Sequence, residues 1–353
     1  MLSSMSVSVH KCVPGEPLDP QSWRCLIMGP TGAGKSSFIE ALAGPNSSIT
    51  NLSSGQLEGF TQEVQGYEIN GIECDPRNVV HLIDTPGFAD SKISEYEIVS
   101  KIKRWMKEND VGYFHRIFYF HPITSTRLAG SQRGVLNSFK ELSGINGASG
   151  VAIITTMWNL VWGDRAHKRA DSNFAQLEGD IWNDFISNGS HIVKFENTHG
   201  SAVSILNKLL QKTHVEQFEI ERTPGIHSGA YTESLRKDLI MRIHSLRVKH
   251  EVITLELASC SRDTDRDLVR ILESQLQSAK QDLERFEGQF GLLDSDSSSR
   301  SASPPPASVD SGNESDDVIS APVIEKRKGR MARIRESIKR SADRVLHPSR
   351  YQK

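Results

Sequence analysis

Only four cysteines occur in 353 residues, and Cys12, Cys25, Cys74 and Cys260 have no metal-binding spacing. That argues against a zinc ribbon or a disulfide framework. The thiols read as reduced and mostly structural, as in an intracellular, cytoplasmic protein. No run of about 18 apolar residues occurs, so no membrane-spanning helix is expected. The N-terminal stretch MLSSMSVSVHKCVPGEP lacks a basic start followed by an apolar block. It does not read as a secretory signal, and residues 1–21 are expected to form a flexible tail. Charge of one sign is missing too. With 42 Lys and Arg against 44 Asp and Glu, the net charge is −2, so any affinity for nucleic acid or membrane must be local.

What is present is alternation. Over residues 22–212, apolar runs (RCLIMG, VVHLIDT, RIFYFHPI, GVAIITT, HIVKF) alternate with helical patterns such as SSFIEAL and YEIVSKIKRWMKE. This predicts an α/β fold with a mainly parallel sheet covered on both faces. TQEVQGYEI alternates and runs into Asn70-Gly71, so it reads as an antiparallel edge strand entering a hairpin. Residues 213–230 read as a linker. Over 231–290, Leu235, Leu239, Leu246 and Ile253, then Leu268, Leu272, Leu276, Ala279, Leu283 and Phe286, recur at helical spacing on either side of SRDTDRD. Two helices are expected, as a hairpin or an interrupted coiled coil, packed on the same chain or on another.

Residues 291–325 are rich in Ser, Pro and Asp and read as disordered. Residues 326–353 reverse the sign, with eleven Lys or Arg against two acids. There Met331, Ile334, Ile338, Ala342 and Val345 fall on one helical face, flanked by Arg330, Arg333, Lys339, Arg340 and Arg344. A basic amphipathic helix suits an anionic membrane surface, which would make the protein peripheral to a membrane. Nucleic acid is disfavoured: it needs no apolar stripe, and Tyr351 is the one aromatic available for stacking. Masking of the tail by the acidic 291–325 segment stays open.

The chemistry is carried by GPTGAGKS, between an apolar run and a helical pattern. Gly29-Pro30-Thr31-Gly32-Ala33-Gly34-Lys35-Ser36, followed by Ser37, has the P-loop spacing. Glycines bring successive amides onto one anion, and the helix start adds its positive dipole end. Lys35 reaches the β- and γ-phosphates, and Ser36 is placed to ligate Mg²⁺. An incidental glycine-rich turn is the plain alternative, and the strand before and helix after weigh against it. Asp84-Thr85-Pro86-Gly87 follows VVHLI, where a DxxG carboxylate holds Mg²⁺ and its glycine amide meets the γ-phosphate. Thr61 sits where a switch threonine would complete the metal shell, with Thr50 as its rival.

GPTGAGKSS and LIDTPGF together resemble the septin-like, chloroplast-import (Toc) and immunity-associated nucleotide-binding GTPases. Thr155-Thr156-Met157-Trp158 is most similar to fungal G-domain-containing proteins of uncharacterised role. The resemblance covers about residues 22–212 and implies a P-loop NTPase of the G-domain type, binding GTP with Mg²⁺. Two departures stand out. Where the family expects Asn/Thr-Lys-x-Asp, this chain has Thr156-Met157-Trp158-Asn159. Asn159 offers guanine one acceptor and one donor in place of two acceptors, so base selectivity should weaken and xanthine could compete. Met157 can still cover the base. Asn197, in Phe195-Glu196-Asn197, resembles the second base contact of the immunity-associated group. The other departure is Phe88, where a water-orienting glutamine follows DxxG in Ras-like enzymes. Hydrolysis should be slow, or completed by a homodimer partner or by a cis arginine, for which Arg127 and Arg133 are the candidates. A degenerate G-domain scaffold is the non-enzymatic alternative. A nucleotide kinase is less well supported, because the α/β region has no compact arginine cluster.

Overall fold

A computed structural model describes residues 7–45, 47, 49, 52, 61–73, 79–125, 130–210, 217–222, 225–226, 229–260 and 266–298. Seven strands form one sheet: β1 (Ser8–Lys11), β2 (Trp23–Met28), β3 (Gln65–Asn70), β4 (Val79–Asp84), β5 (Arg116–Pro122), β6 (Val151–Thr156) and β7 (His191–Lys194). Their order is β1-β3-β4-β2-β5-β6-β7. From β4 to β7 every neighbouring pair is parallel, and β3 joins β4 antiparallel. Helices α1 (Lys35–Ala43), α2 (Glu95–Glu108), α3 (Gly130–Ser143), α4 (Asp164–Gln176), α5 (Asn183–Ser187), α6 (His199–Leu209) and α7 (Glu219–Arg222) lie between and after the strands. This is the α/β P-loop NTPase arrangement expected from the alternation.

The apolar runs are continuous because both faces of the sheet are covered. Side chains alternate along a strand. On β5, Phe118 and Phe120 therefore join one core with Cys25, Ile27, Phe38, Leu42 and Phe195. Phe38, on α1, meets Phe120 at 5.4 Å and Phe195 at 5.0 Å between ring centroids. Tyr119, between the two β5 phenylalanines, faces the other layer and packs on Phe139 of α3 and on Trp182. Burying each such ring stabilises the fold by roughly 1.5–3 kcal/mol. The two layers bury β2 on both faces, and the P-loop follows from its carboxyl end.

The structure corrects three expectations. The segment read as a loose tail contributes β1, whose Ser8 pairs with Asn70 and whose Lys11 pairs with Tyr67. Consequently β3 is not the edge strand, since β1 lies outside it. The hairpin entered at Asn70-Gly71 is formed, since β3 pairs antiparallel with β4. Asn70 pairs with Val79, so the connection spans residues 71–78. The segment read as a plain linker carries α7, with Phe218 and Ile220 fully buried.

The chain divides into two compact units, Met1–Leu235 and Arg236–Lys353. Most of α8 (Thr232–Ser259) lies in the second, where it forms an antiparallel hairpin with α9 (Arg266–Ser298). Arg236 pairs with Asp294, and Arg247 Nη2 lies 2.6 Å from Glu287 Oε1. The Arg242 guanidinium sits 5.6 Å from the Phe286 ring. Arg236, near the start of α8, thus meets the far part of α9, while Arg242 and Arg247 meet residues nearer its middle, so the two helices run antiparallel. α9 runs to Ser298, beyond the expected boundary at 290. The basic tail 326–353 and most of 291–325 lie outside the described residues.

Candidate nucleotide site

The P-loop glycines serve different purposes. Gly29, Gly32 and Gly34 have φ of 142°, 75° and 87°, a region in which side chains are strained. At Gly29 space is also lacking, since a Cβ would fall 2.6 Å from the Phe120 carbonyl oxygen. At Gly32 a Cβ would meet nothing within 4 Å, so conformation alone demands glycine there. Ala33 is buried, and its carbonyl accepts from Thr156 Oγ1 at 2.8 Å. That bond ties the P-loop to the end of β6.

Lys35 is buried in the first turn of α1. Its Nζ donates to the Gly29 carbonyl at 3.2 Å and the Pro30 carbonyl at 3.1 Å. Burial pushes the Lys35 pKa down, against the pull of Asp84 and Asp90. Asp84, at the end of β4, is also buried, and burial pushes its carboxyl pKa up, opposed first by Lys35 and then by Thr61 and Ser36.

Three oxygens converge on this point. Asp84 Oδ2 lies 3.4 Å from Ser36 Oγ and 3.3 Å from Thr61 Oγ1, and the two hydroxyls are 3.5 Å apart. These separations exceed the usual O–H···O length. Asp84 Oδ1 is buried without a hydrogen-bond partner. A cluster of hard oxygen donors with an orphaned carboxylate oxygen fits a small divalent cation such as Mg²⁺. Thr61 is thus brought beside Ser36 and Asp84, whereas its rival Thr50 lies outside the described residues. Ser37 follows Ser36 in the first turn of α1.

The DTPG loop is pressed onto the P-loop. The Thr31 amide donates to the Phe88 carbonyl, and the Phe88 amide donates to the Gly29 carbonyl, both at 3.0 Å. Gly87 is there for space: a Cβ would lie 2.4–2.5 Å from Thr31 Oγ1, Cα and N. Thr31 Oγ1 also donates to Asp90 Oδ2 at 3.3 Å. The Phe88 ring is fully buried.

Just beyond the carboxyl ends of β6 and β7, Met157 has φ 63° and Asn197 φ 58°. Asparagine tolerates this left-handed backbone far better than methionine does. Thr124 Oγ1 donates to Met157 Sδ at 3.4 Å, and Trp158 Nε1 donates to Thr155 Oγ1 at 3.0 Å. Lys194 Nζ sits 4.1 Å over the Trp158 ring. Asn159 and Asn197 are both exposed. Sequence reasoning passed over Thr156, Trp158 and Lys194 as positioning residues. Two threonines ending an apolar strand were the available signal for Thr156. Of the arginine candidates, Arg127 lies outside the described residues. Arg133 is exposed on α3 and lines a cleft with His121, Asn137, Lys140 and Asp180, a set that shares no residue with the P-loop.

Residues 24–123 match the family model described as 50S ribosome-binding GTPase. No curated protein matches the chain. Among solved structures, Toc33 from Arabidopsis thaliana in complex with Mg²⁺ and GMPPNP is similar at 13% identity, over 54% of this chain and 83% of that one, with a TM-score of 0.41. LeoA, a bacterial dynamin GTPase from ETEC, is 13% identical over 93% of this chain and 81% of that one, with a TM-score of 0.36. The cytosolic domain of the T. maritima FeoB iron transporter in GDP form is 16% identical over 77% and 97%, with a TM-score of 0.31.

Proposed function

We propose that the protein is a Mg²⁺-dependent GTP-binding switch with slow or partner-dependent hydrolysis. The observation that carries this reading is the convergence of Ser36, Thr61 and Asp84 beside Lys35, with Asp84 Oδ1 buried and unpartnered. In this reading the amides of residues 29–36 and Lys35 hold the phosphates. Ser36, Thr61 and Asp84 hold the metal, which neutralises phosphate charge when bound. Gly87, already against Thr31, reports on the γ-phosphate. Met157, Asn159 and Asn197 bound the base, with Asn159 relaxing the preference for guanine. Thr155-Thr156-Met157-Trp158 supports placing the chain with fungal G-domain proteins.

A nucleotide-locked scaffold is the second reading, favoured by the buried Phe88 ring and its two backbone bonds to the P-loop. Under either reading the helical hairpin and the basic tail carry the output, and the tail suits an anionic membrane surface. Self-association into a homodimer is the route by which a second molecule would complete the catalytic set. Ser36→Ala and Thr61→Ala test the metal assignment. Each should raise the Mg²⁺ concentration needed for triphosphate binding about tenfold or more, the scale of a lost ligand. Unchanged Mg²⁺ dependence in both would remove the carrying observation.

A further inference from the structure

Between β6 and α4 the chain builds a small, ordered knuckle. Its root is Trp158, held by its bond to Thr155 and by Lys194 over its ring. Its tip is a single helical turn, in which the Leu160 amide donates to the Met157 carbonyl and the Val161 amide to the Trp158 carbonyl, each at 3.1 Å. Gly163, at φ 77°, turns the chain into α4, and its carbonyl accepts from the amides of Ala166 and His167. The backbone is therefore bonded on both sides of the tip. The side chains at the tip are uncovered: Leu160 is 56% and Trp162 80% exposed. By contrast, Trp23, Trp105 and Trp182 are 8% exposed or less.

Directly after the tip, Arg165, Lys168 and Arg169 are all exposed on α4. At about 100° per residue they fall within roughly 100° of arc on that helix. Against them stands Asp164, while the next acid, Asp171, already pairs with Lys194 at 3.3 Å. An uncovered tryptophan and leucine beside a cationic helix face match what anionic bilayers attract. Tryptophan settles at the headgroup level, and basic residues meet lipid phosphates.

We propose that this knuckle is a membrane-contact site, with Leu160 and Trp162 entering the interface of an anionic bilayer and Arg165, Lys168 and Arg169 engaging its headgroups. A second copy fits less well, because a two-fold contact through this face would bring like cations together. Nucleic acid would use the cations but has no use for Leu160. The contact does not depend on the nucleotide reading, and it is distinct from the tail. It would fix the base side of the G domain toward the lipid.

The experiment uses the full chain with phosphatidylcholine vesicles, with and without phosphatidylserine. Trp162 supplies the spectroscopic handle. On phosphatidylserine vesicles tryptophan emission should shift to the blue and become protected from acrylamide. Both changes should be absent in a Trp162→Phe variant. Leu160→Ser with Trp162→Ser should weaken binding at least tenfold while leaving nucleotide affinity unchanged. Neutralising Arg165, Lys168 and Arg169 to Gln should cost about fivefold per cation at low salt. The same spectra in an Ile334→Ser, Ile338→Ser background remove the contribution of the tail stripe. A blue shift that persists there supports the knuckle. One that vanishes there, or vesicle binding with Trp162 still fully quenchable, overturns it. A shift produced by raising protein concentration without vesicles would identify a second copy as the occupant and overturn it as well.

Discussion

The amide of Thr31 donates to the carbonyl of Phe88 at 3.0 Å, joining the P-loop to the loop that follows β4. The return bond, from the Phe88 amide to the Gly29 carbonyl, makes the contact a short parallel bridge. In the proposed reading these two loops would meet different parts of a triphosphate, and the bridge couples them directly.

Gly87→Ala tests that coupling. Its Cβ would lie within 2.5 Å of Thr31 backbone atoms, so one loop must shift. The expected cost is about 1–3 kcal/mol of stability, as for other overpacked sites. Preference for GTP over GDP should fall with it. Native melting temperature together with an unchanged GTP-to-GDP ratio would show that the loops act independently.

Asn159→Asp should restore two acceptors to the base motif. GTP binding should tighten severalfold, about 1 kcal/mol per recovered hydrogen bond, and XTP binding should weaken. Competition titration with the two nucleotides gives the ratio directly. An unmoved ratio would mean that Asn159, exposed as it is, does not read the base.

Hydrolysis should be slow in dilute protein, because the buried Phe88 ring offers no group to orient water. Turnover per molecule should climb with protein concentration if a second copy completes the site. Phosphate release measured over a hundredfold dilution series decides this. A fast, concentration-independent rate would point to a cis group instead.

Stability should fall on acidification through two histidines. Burial pushes His121 down to about 4 and His115 to about 4, the latter helped by Arg24 and Arg116. His115 Nδ1 accepts from the Arg24 amide at 3.0 Å, so its proton belongs on Nε2. Both folded values lie below the unfolded value, so stability is full above about pH 6.5 and is lost as pH falls toward 4. His121 alone accounts for on the order of 3 kcal/mol across that window. Glu221, which burial pushes up to about 7, acts in the opposite sense and loses stability as pH rises from its unfolded value. The difference between wild type and His121→Phe isolates the histidine. Denaturation midpoints from pH 7 to 4 should diverge toward pH 4, where wild type alone loses stability to His121 protonation in the unfolded state, and lie nearest at pH 7, where neutral His121 carries no such cost. A constant gap would contradict the assignment.

Much of the fold was legible because it is written in local patterns. Five continuous apolar runs became the five parallel strands, and GPTGAGKS sits at the carboxyl end of β2 as its spacing required. β1 was hidden: VSVHK is too short and too polar to announce a strand, and only pairing with β3 reveals it. The site divides the same way. Lys35, Ser36 and Asp84 follow from motif spacing, and Thr61 from its place before β3. The left-handed backbone of Met157, the Thr156 bond to Ala33 and the Lys194–Trp158 stack depend on contacts between distant segments, which no local pattern encodes.

Calorimetric titration of the full chain with non-hydrolysable GTP and ATP analogues, each with Mg²⁺ and with EDTA, tests the central claim most directly. Wild type and Lys35→Ala are compared, with circular dichroism confirming the fold of both. The GTP analogue should bind in Mg²⁺, the ATP analogue should bind more weakly, and binding should be lost in EDTA. Lys35→Ala, lacking the buried ammonium beside Asp84, should bind neither analogue while keeping native helicity. Undiminished affinity in Lys35→Ala, or a natively folded wild type that binds no nucleotide in Mg²⁺, would contradict the claim.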